Sequence, residues 1–341
     1  MKQARRHLAN LPVLSDRFGR RVSYLRISLT DRCNLRCVYC MPEHGVPYED
    51  REDLLTLDEI MRVVRLLSQH GLTKVRLTGG EPLVRGADVV ELVRRISEIP
   101  VISDLGLTTN AVLLSPLVKS LKEAGLRRIN ISLDTLRRDR FLKIARMDKF
   151  DIAVEGLKAA ESAGLDPLKL NMVMMRGIND DEILDFAALT MSKNYHVRFL
   201  EYMPIGQVTP YEWKAKYIGN DEVIARLSSK FKLESVETAL SSTASVYKID
   251  GAVGTIGVIS PISHKFCDGC NRLRLTANGF LVPCLSDNYE YDLRQYLRSG
   301  KSDEEILRHV GIALSNKPEH SDFEGRVQKG GSLRIMAQIG G

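Results

Sequence analysis

The sequence predicts an α/β protein: an incomplete (β/α)6 barrel of the TIM type, followed by a smaller C-terminal α+β extension. Three observations carry this prediction. Short apolar runs alternate with amphipathic stretches from Tyr24 to about Glu201, the pattern of repeated β/α units. Polar or reactive residues follow each of six successive strand candidates. A barrel mouth collects such residues from every strand, whereas a doubly wound sheet gathers them at one switch point. After Pro204 the alternation stops.

In order, the strand candidates are Tyr24–Leu29, Lys74–Thr78, Ile102–Thr108, Arg128–Leu133, Leu168–Met174 and Val197–Glu201. Between them the spacing predicts helices at Leu57–Gln69, Ala87–Glu98, Pro116–Ala124, Arg138–Ala145 with Ile152–Ala163, and Asp181–Lys193. Leu57, Ile60, Val63, Val64 and Leu67 keep the spacing of a helix with one buried face. Gly71, Gly125 and Gly164 stand where left-handed caps would end helices. Beyond Pro204, residues 206–219 read as a polar connector around the single tryptophan, Trp213. A short helix (Asp221–Phe231), four brief strands (Ser245–Ile249, Thr255–Ile259, Leu273–Thr276, Phe280–Val282) and two helices (Tyr291–Arg298, Asp303–Ser315) complete the chain. Gly300-Lys301-Ser302 looks like the end of a phosphate loop, but no strand precedes it. The expected division is an N-terminal basic arm (1–22), the barrel (23–205) and the C-terminal region (206–341).

Composition sets outer bounds. The 341 residues are 44% hydrophobic and 27% charged, which suits a large globular core. No window approaches 18 uninterrupted apolar residues, so a transmembrane helix is not expected. The first residues are basic without the apolar centre of a secretory signal, which points to a solvated arm and a cytoplasmic protein. Of the seven basic residues before Ile27, namely Lys2, Arg5, Arg6, Arg17, Arg20, Arg21 and Arg26, only Arg26 lies inside an apolar run, where it needs a partner.

The six cysteines form two groups. Cys33, Cys37 and Cys40 follow the first strand as C-x₃-C-x₂-C; Cys267, Cys270 and Cys284 form C-x₂-C-x₁₃-C. A long chain without a secretion signal is no disulfide scaffold, so both groups read as metal centres in a reducing compartment. Either could be a Cys₃His zinc site, completed by His44 or His264, or an iron–sulfur centre with one iron left open. Spacing leaves both readings standing. Barrel-mouth placement tilts the first group toward iron–sulfur, while zinc is slightly favoured for the second. Arg272 and Arg274, two apart on a strand, would face one side beside the second group and make an anion pocket. Gly79-Gly80-Glu81-Pro82 after the second strand lets backbone approach a ligand closely, with the glutamate able to hold an amino group. His196 reads as a strand-end core or surface residue.

At Cys33-Asn-Leu-Arg-Cys37-Val-Tyr-Cys40 the chain resembles the radical S-adenosylmethionine (SAM) superfamily. The resemblance extends through Leu25–Cys37, Arg76-Leu-Thr-Gly-Gly-Glu-Pro82, the second cysteine triplet with its two arginines, and the final Gly-Gly. Together these resemble the GTP 3′,8-cyclase family, which acts first in molybdenum cofactor biosynthesis. The resemblance implies two [4Fe-4S] clusters, on Cys33, Cys37 and Cys40 and on Cys267, Cys270 and Cys284, the extension being the cluster-binding part. It implies SAM contacts at Tyr39, Gly80, Ser132 and Met203, and GTP contacts at Arg26, Arg76, Thr108, Lys169, Arg272 and Arg274. It also implies GTP as substrate, a reductant or electron-donor protein, and delivery of product to cyclic pyranopterin monophosphate synthase. A monomer or homodimer without membrane or nucleic-acid partners is expected, with the Gly-Gly tail threaded into the site. The alternatives weighed are a radical SAM peptide maturase with an auxiliary cluster, and a zinc-stabilised nucleic-acid-binding protein.

Overall fold

The computed structural model describes residues 14–206, 208–328 and 334–340. Lys2, Arg5, Arg6 and the terminal Gly341 lie outside the described residues. Six strands lie side by side in chain order: β1 (Tyr24–Ser28), β2 (Lys74–Thr78), β3 (Asp104–Thr109), β4 (Arg128–Ser132), β5 (Leu168–Met174) and β6 (Tyr195–Glu201). Every neighbouring pair among them is parallel. Each crossover carries helix, from Leu57–Ser68 after β1 to Ile183–Ser192 before β6, as parallel neighbours require.

The C-terminal third extends this sheet at both edges. Beyond β6 come β9 (Thr255–Ile259), β8 (Ala244–Ile249) and β7 (Leu233–Val236); beyond β1 come β10 (Arg272–Leu275), β11 (Phe280–Val282) and β12 (Tyr291–Asp292). Both edge contacts are parallel, β9 on β6 and β10 on β1, and the outermost hairpins are antiparallel. The result is one 12-stranded α/β sheet rich in parallel pairs.

Alternation along the strands divides two environments. Leu25, Ile27, Val75, Leu77, Leu105, Leu107, Ile129 and Ile131 are at most 1% exposed and form the packed core. The residues between them turn to the other face. The helix Leu57–Ser68 opens with a capping box between Thr56 and Glu59 and buries Ile60, Val63, Val64 and Leu67. Gly71, Gly125 and Gly164 all take positive φ after helices, as the sequence predicts.

The differences from expectation are local. Residues 206–219 are not a plain connector: Pro210–Lys216 is a helix, capped by Thr209 and Glu212, with Trp213 buried and bonded through Nε1 to the Tyr202 carbonyl at 2.9 Å. Tyr291–Arg298 is not one helix, because Tyr291–Asp292 pairs with β11 before the helix Arg294–Arg298 begins. Ser302 caps the helix Asp303–Ser315, which explains the Gly-Lys-Ser letters without a phosphate. Arg20 is no solvated arm residue. Its side chain is 8% exposed, bonds Asp16 and donates to the carbonyls of Cys267, Pro318 and Glu319.

Candidate functional site

A cavity of about 1180 Å³ opens against the face of the sheet opposite the helices. Lining residues alternate along each strand: Tyr24 and Arg26 on β1, Lys74, Arg76 and Thr78 on β2, Lys169, Asn171 and Val173 on β5, His196, Arg198 and Leu200 on β6. Every residue given above as a cluster, SAM or GTP contact lines this one cavity. It joins the two cysteine triplets, which stand at the carboxyl end of β1 and around β10.

Strand register builds the cationic wall. Arg26 is the register partner of both Arg274 on β10 and Arg76 on β2. Gly106 follows Arg76 on β3, and a Cβ there would meet the Arg76 guanidinium at 3.0–3.1 Å. Tyr24 Oη accepts from Arg76 Nε at 2.9 Å and from Arg26 Nη1 at 3.2 Å. Burial pushes the Tyr24 phenol up, but Arg76, Arg26 and Lys74 outweigh it and bring it down to about 7. Burial, with Arg198 and Arg76 nearby, lowers Lys169 to about 7. Burial also brings Arg198 and Arg274 to about 9. Thr108 Oγ1 and both Nε and Nη2 of Arg198 are buried without a hydrogen-bond partner in the described residues. The unpartnered Arg198 nitrogens are costly to bury among so many other cations, and the wall as a whole suits a polyanion.

The first triplet is held by a backbone zipper. Gly80 N donates to Thr30 O at 2.7 Å and Glu81 N to Arg32 O at 2.8 Å. A Cβ on Gly80 would sit 2.3 Å from Arg32 O, so only glycine permits this approach. Glu81 does not reach for a ligand amine. Its Oε1 accepts from Leu83 N and Thr109 Oγ1 at 3.0 and 2.8 Å, and its Oε2 from Asn110 N at 2.7 Å. Asn110 Nδ2 in turn lies 3.8 Å from Cys33 Sγ. Tyr39 Oη donates to Asp134 Oδ2 at 2.7 Å, and burial pushes that carboxyl up to about 6.

The donor chemistry tests what the triplets can hold. All six cysteines are free and partly exposed. Burial pushes the Cys33 and Cys40 thiols up to about 11 and about 12, so a metal charge is needed to draw off their protons. Burial also raises Cys270, but Lys317 and Arg272 outweigh it and leave that thiol below its ordinary range. The zinc reading lacks its fourth ligands: His44 and His264 are exposed, and His264 Nε2 bonds Asp221 at 2.8 Å. Among the described residues no group of three His, Cys, Asp or Glu side chains could hold a single metal ion. A cuboidal iron–sulfur cluster spaces its thiolates more widely than one ion does, and soft three-thiolate sets suit it.

Comparison with known proteins agrees with this chemistry. The profile described as Radical SAM superfamily matches residues 27–190, and that described as Molybdenum Cofactor Synthesis C matches residues 195–323. The GTP 3′,8-cyclase of Listeria welshimeri is 44% identical over 338 residues, covering 97% of this chain and 100% of the relative. Those of Moorella thermoacetica and Pelotomaculum thermopropionicum are 46% and 47% identical, each covering 96% of this chain and 100% of the relative. The chain belongs to the GTP 3′,8-cyclase family. Among solved structures, Streptococcus suis SuiB bound to S-adenosylmethionine aligns with a TM-score of 0.60 at 17% identity, covering 92% of this chain and 72% of that one. At that identity it shows the radical SAM fold alone.

The structure also brings to the cavity Arg198, which the sequence did not single out, and His196, which the sequence reads as a strand-end core or surface residue. Arg198 and His196 face the cavity from β6, with His196 Nδ1 2.6 Å from Thr255 Oγ1. Burial, with Arg198 and Lys169 beside it, lowers His196 to about 3, so the ring is neutral. The signal for Arg198 was present: like Arg26, it interrupts an apolar strand. Lys317 has no such signal, lying in a short Asn-Lys-Pro turn after a helix.

Proposed function

We propose that this chain carries out the family reaction, radical SAM-dependent cyclisation of GTP to (8S)-3′,8-cyclo-7,8-dihydroguanosine 5′-triphosphate, a lyase step in molybdenum cofactor biosynthesis. The single observation that carries it is one cavity lined by both cysteine triplets and by a cationic wall between them. Cys33, Cys37 and Cys40 would hold the SAM-binding [4Fe-4S] cluster, and Cys267, Cys270 and Cys284 the second. When bound, the first cluster supplies the electron that cleaves SAM to methionine and a 5′-deoxyadenosyl radical.

The chain's own residues orient the partners. Tyr39, Gly80, Ser132 and Met203 take SAM beside the first triplet. Arg26, Arg76, Thr108, Lys169, Arg272 and Arg274 take GTP, and Arg198 joins them because its Nε and Nη2 have no partner among the described residues. Charge-assisted bonds of roughly 1.5–3 kcal/mol each suffice to hold a triphosphate against solvent. Fixing the nucleotide between two centres converts an encounter into a positioned reaction and keeps water out.

The six consecutive β/α units support an incomplete (β/α)6 barrel over residues 23–205, with residues 206–341 as the cluster-binding extension and 1–22 as a basic arm. No helix of the described residues is long and apolar enough to cross a membrane, in keeping with a cytoplasmic enzyme. It would draw electrons from a reductant protein and pass product to cyclic pyranopterin monophosphate synthase, as a monomer or homodimer. The test is anaerobic incubation of reduced, iron-loaded protein with SAM and GTP, followed by identification of the nucleotide. A nucleotide pool still consisting of GTP, with both clusters bound, would overturn the reading.

A further inference from the structure

One short segment, Lys317 to Asp322, meets Cys267 and Cys270 of the second triplet directly and Cys284 through Ser286. Ser321 N donates to Cys267 Sγ at 3.3 Å, and Ser321 Oγ lies 3.6 Å from the same sulfur. Asp322 N donates to Ser286 Oγ at 3.2 Å, and that hydroxyl lies 3.3 Å from Cys284 Sγ. Lys317 Nζ donates to the carbonyls of Arg272 and Pro283 at 2.7 and 2.5 Å. The first of these is two residues past Cys270, the second immediately before Cys284. Lys317 is 2% exposed and lines the cavity. The Cys270 thiol is a third hydrogen-bond partner of this ammonium, and no acid is among its partners in the described residues.

We propose that Lys317 is a positioning residue for the second cysteine triplet, its buried ammonium tying the Cys270 and Cys284 strands together and supplying fixed positive charge beside the cluster. A buried lysine without a carboxylate is expensive unless something anionic stands near it. Three thiolates around a cluster are anionic, and the potential of such a cluster follows local charge and hydrogen bonding. Geometry separates the two roles of the side chain. Glutamine can still donate two N–H bonds to the two carbonyls but carries no charge; arginine keeps the charge with a different shape.

The proposal rests on the reading of Cys267, Cys270 and Cys284 as a cluster site, and the wild-type chain checks that first. Iron loss on replacing those three cysteines must halve the total; a wild type with one cluster would sink the underlying reading and this proposal with it. With two clusters in place, Lys317→Gln and Lys317→Arg are loaded with iron and titrated against potential by electron paramagnetic resonance. The expected result is a shift of the second cluster to lower potential in Lys317→Gln, with the first cluster unmoved and Lys317→Arg resembling wild type. Loss of the second cluster from Lys317→Gln but not from Lys317→Arg would also support the role of charge. An unmoved potential in a fully loaded Lys317→Gln overturns it, as does equal loss of the cluster from both folded variants.

Discussion

Arg274 Nη1 donates to the carbonyl of Gly340 at 2.6 Å, joining a strand beside the second cysteine triplet to the end of the chain. Gly340 has φ +81°, and a Cβ there would stand 2.7 Å from Thr78 Cγ2 and 3.3 Å from Ser28 Cβ. The tail is therefore seated between β1 and β2, where a side chain does not fit.

Gly340→Ala should then displace the last residue of the tail and the Arg274 guanidinium, while Ile335 and Ala337 keep their packing against Cys33 and Cys40. The expected outcome is a fall in cyclisation of about 100-fold, the scale of a 1 Å misplacement, with iron content and slow SAM cleavage retained. Wild-type product yield from the alanine variant would refute it.

Arg198→Met tests a buried cation whose Nε and Nη2 have no partner among the described residues. Without nucleotide the variant should be more heat-stable than wild type, because an uncompensated buried charge is removed. Its GTP affinity should weaken by about 10- to 150-fold, the equivalent of roughly 1.5–3 kcal/mol. Calorimetry and thermal melts read the two effects separately, and a variant that is both less stable and equally tight would contradict the assignment.

Lys169 gives a pH dependence with a definite sign. Burial and its cationic neighbours lower it from an ordinary 10.5 to about 7, so above that pH it is mostly neutral in the free protein. A bound triphosphate favours the ammonium, so GTP binding should take up a proton above pH 7 and weaken as pH rises. Lys169→Arg should flatten that slope. In the unliganded protein the unfolded chain keeps this proton longer than the folded one, so stability should rise with pH from about 7 toward 10.5. Isothermal titration in buffers of different ionisation enthalpy measures the proton uptake; none at pH 8 would dismiss Lys169 as a phosphate contact.

Glu81→Gln turns an all-acceptor group into one that must aim N–H bonds at a donor, since Leu83 N, Thr109 Oγ1 and Asn110 N all point at its oxygens. The cost should be about 1–3 kcal/mol of stability, with looser iron binding at the first triplet through Asn110 and Cys33. An unchanged melting temperature would show that the glutamate instead serves a ligand.

Much of this was legible in the letters. Strand and helix candidates in the first two-thirds fall within a few residues of the observed elements because apolar periodicity decides them: β2 and β5 match residue for residue. The cavity face was readable as alternation, with Lys169 and Asn171 or His196 and Arg198 standing two apart on apolar strands. What failed depended on long-range pairing. Tyr291 looks helical in sequence but is claimed by β11. Arg20 looks like a solvated arm residue until the Cys267 and Pro318 carbonyls supply its partners. Lys317 is one charge in a turn, and nothing local says that the carbonyls of Arg272 and Pro283 surround it.

The pairing of β10 with β1 has a consequence in time. Arg26 and Arg274 are strand neighbours separated by about 250 residues of chain. At a synthesis rate of roughly 5–20 residues per second, β1 waits on the order of tens of seconds for its partner. During that interval one edge of the parallel sheet is open to other chains, and the binding wall lacks Arg272 and Arg274. Iron delivered to the first cysteines of a nascent chain would meet an unfinished pocket, so a cell gains by loading the clusters only after the ribosome has let go.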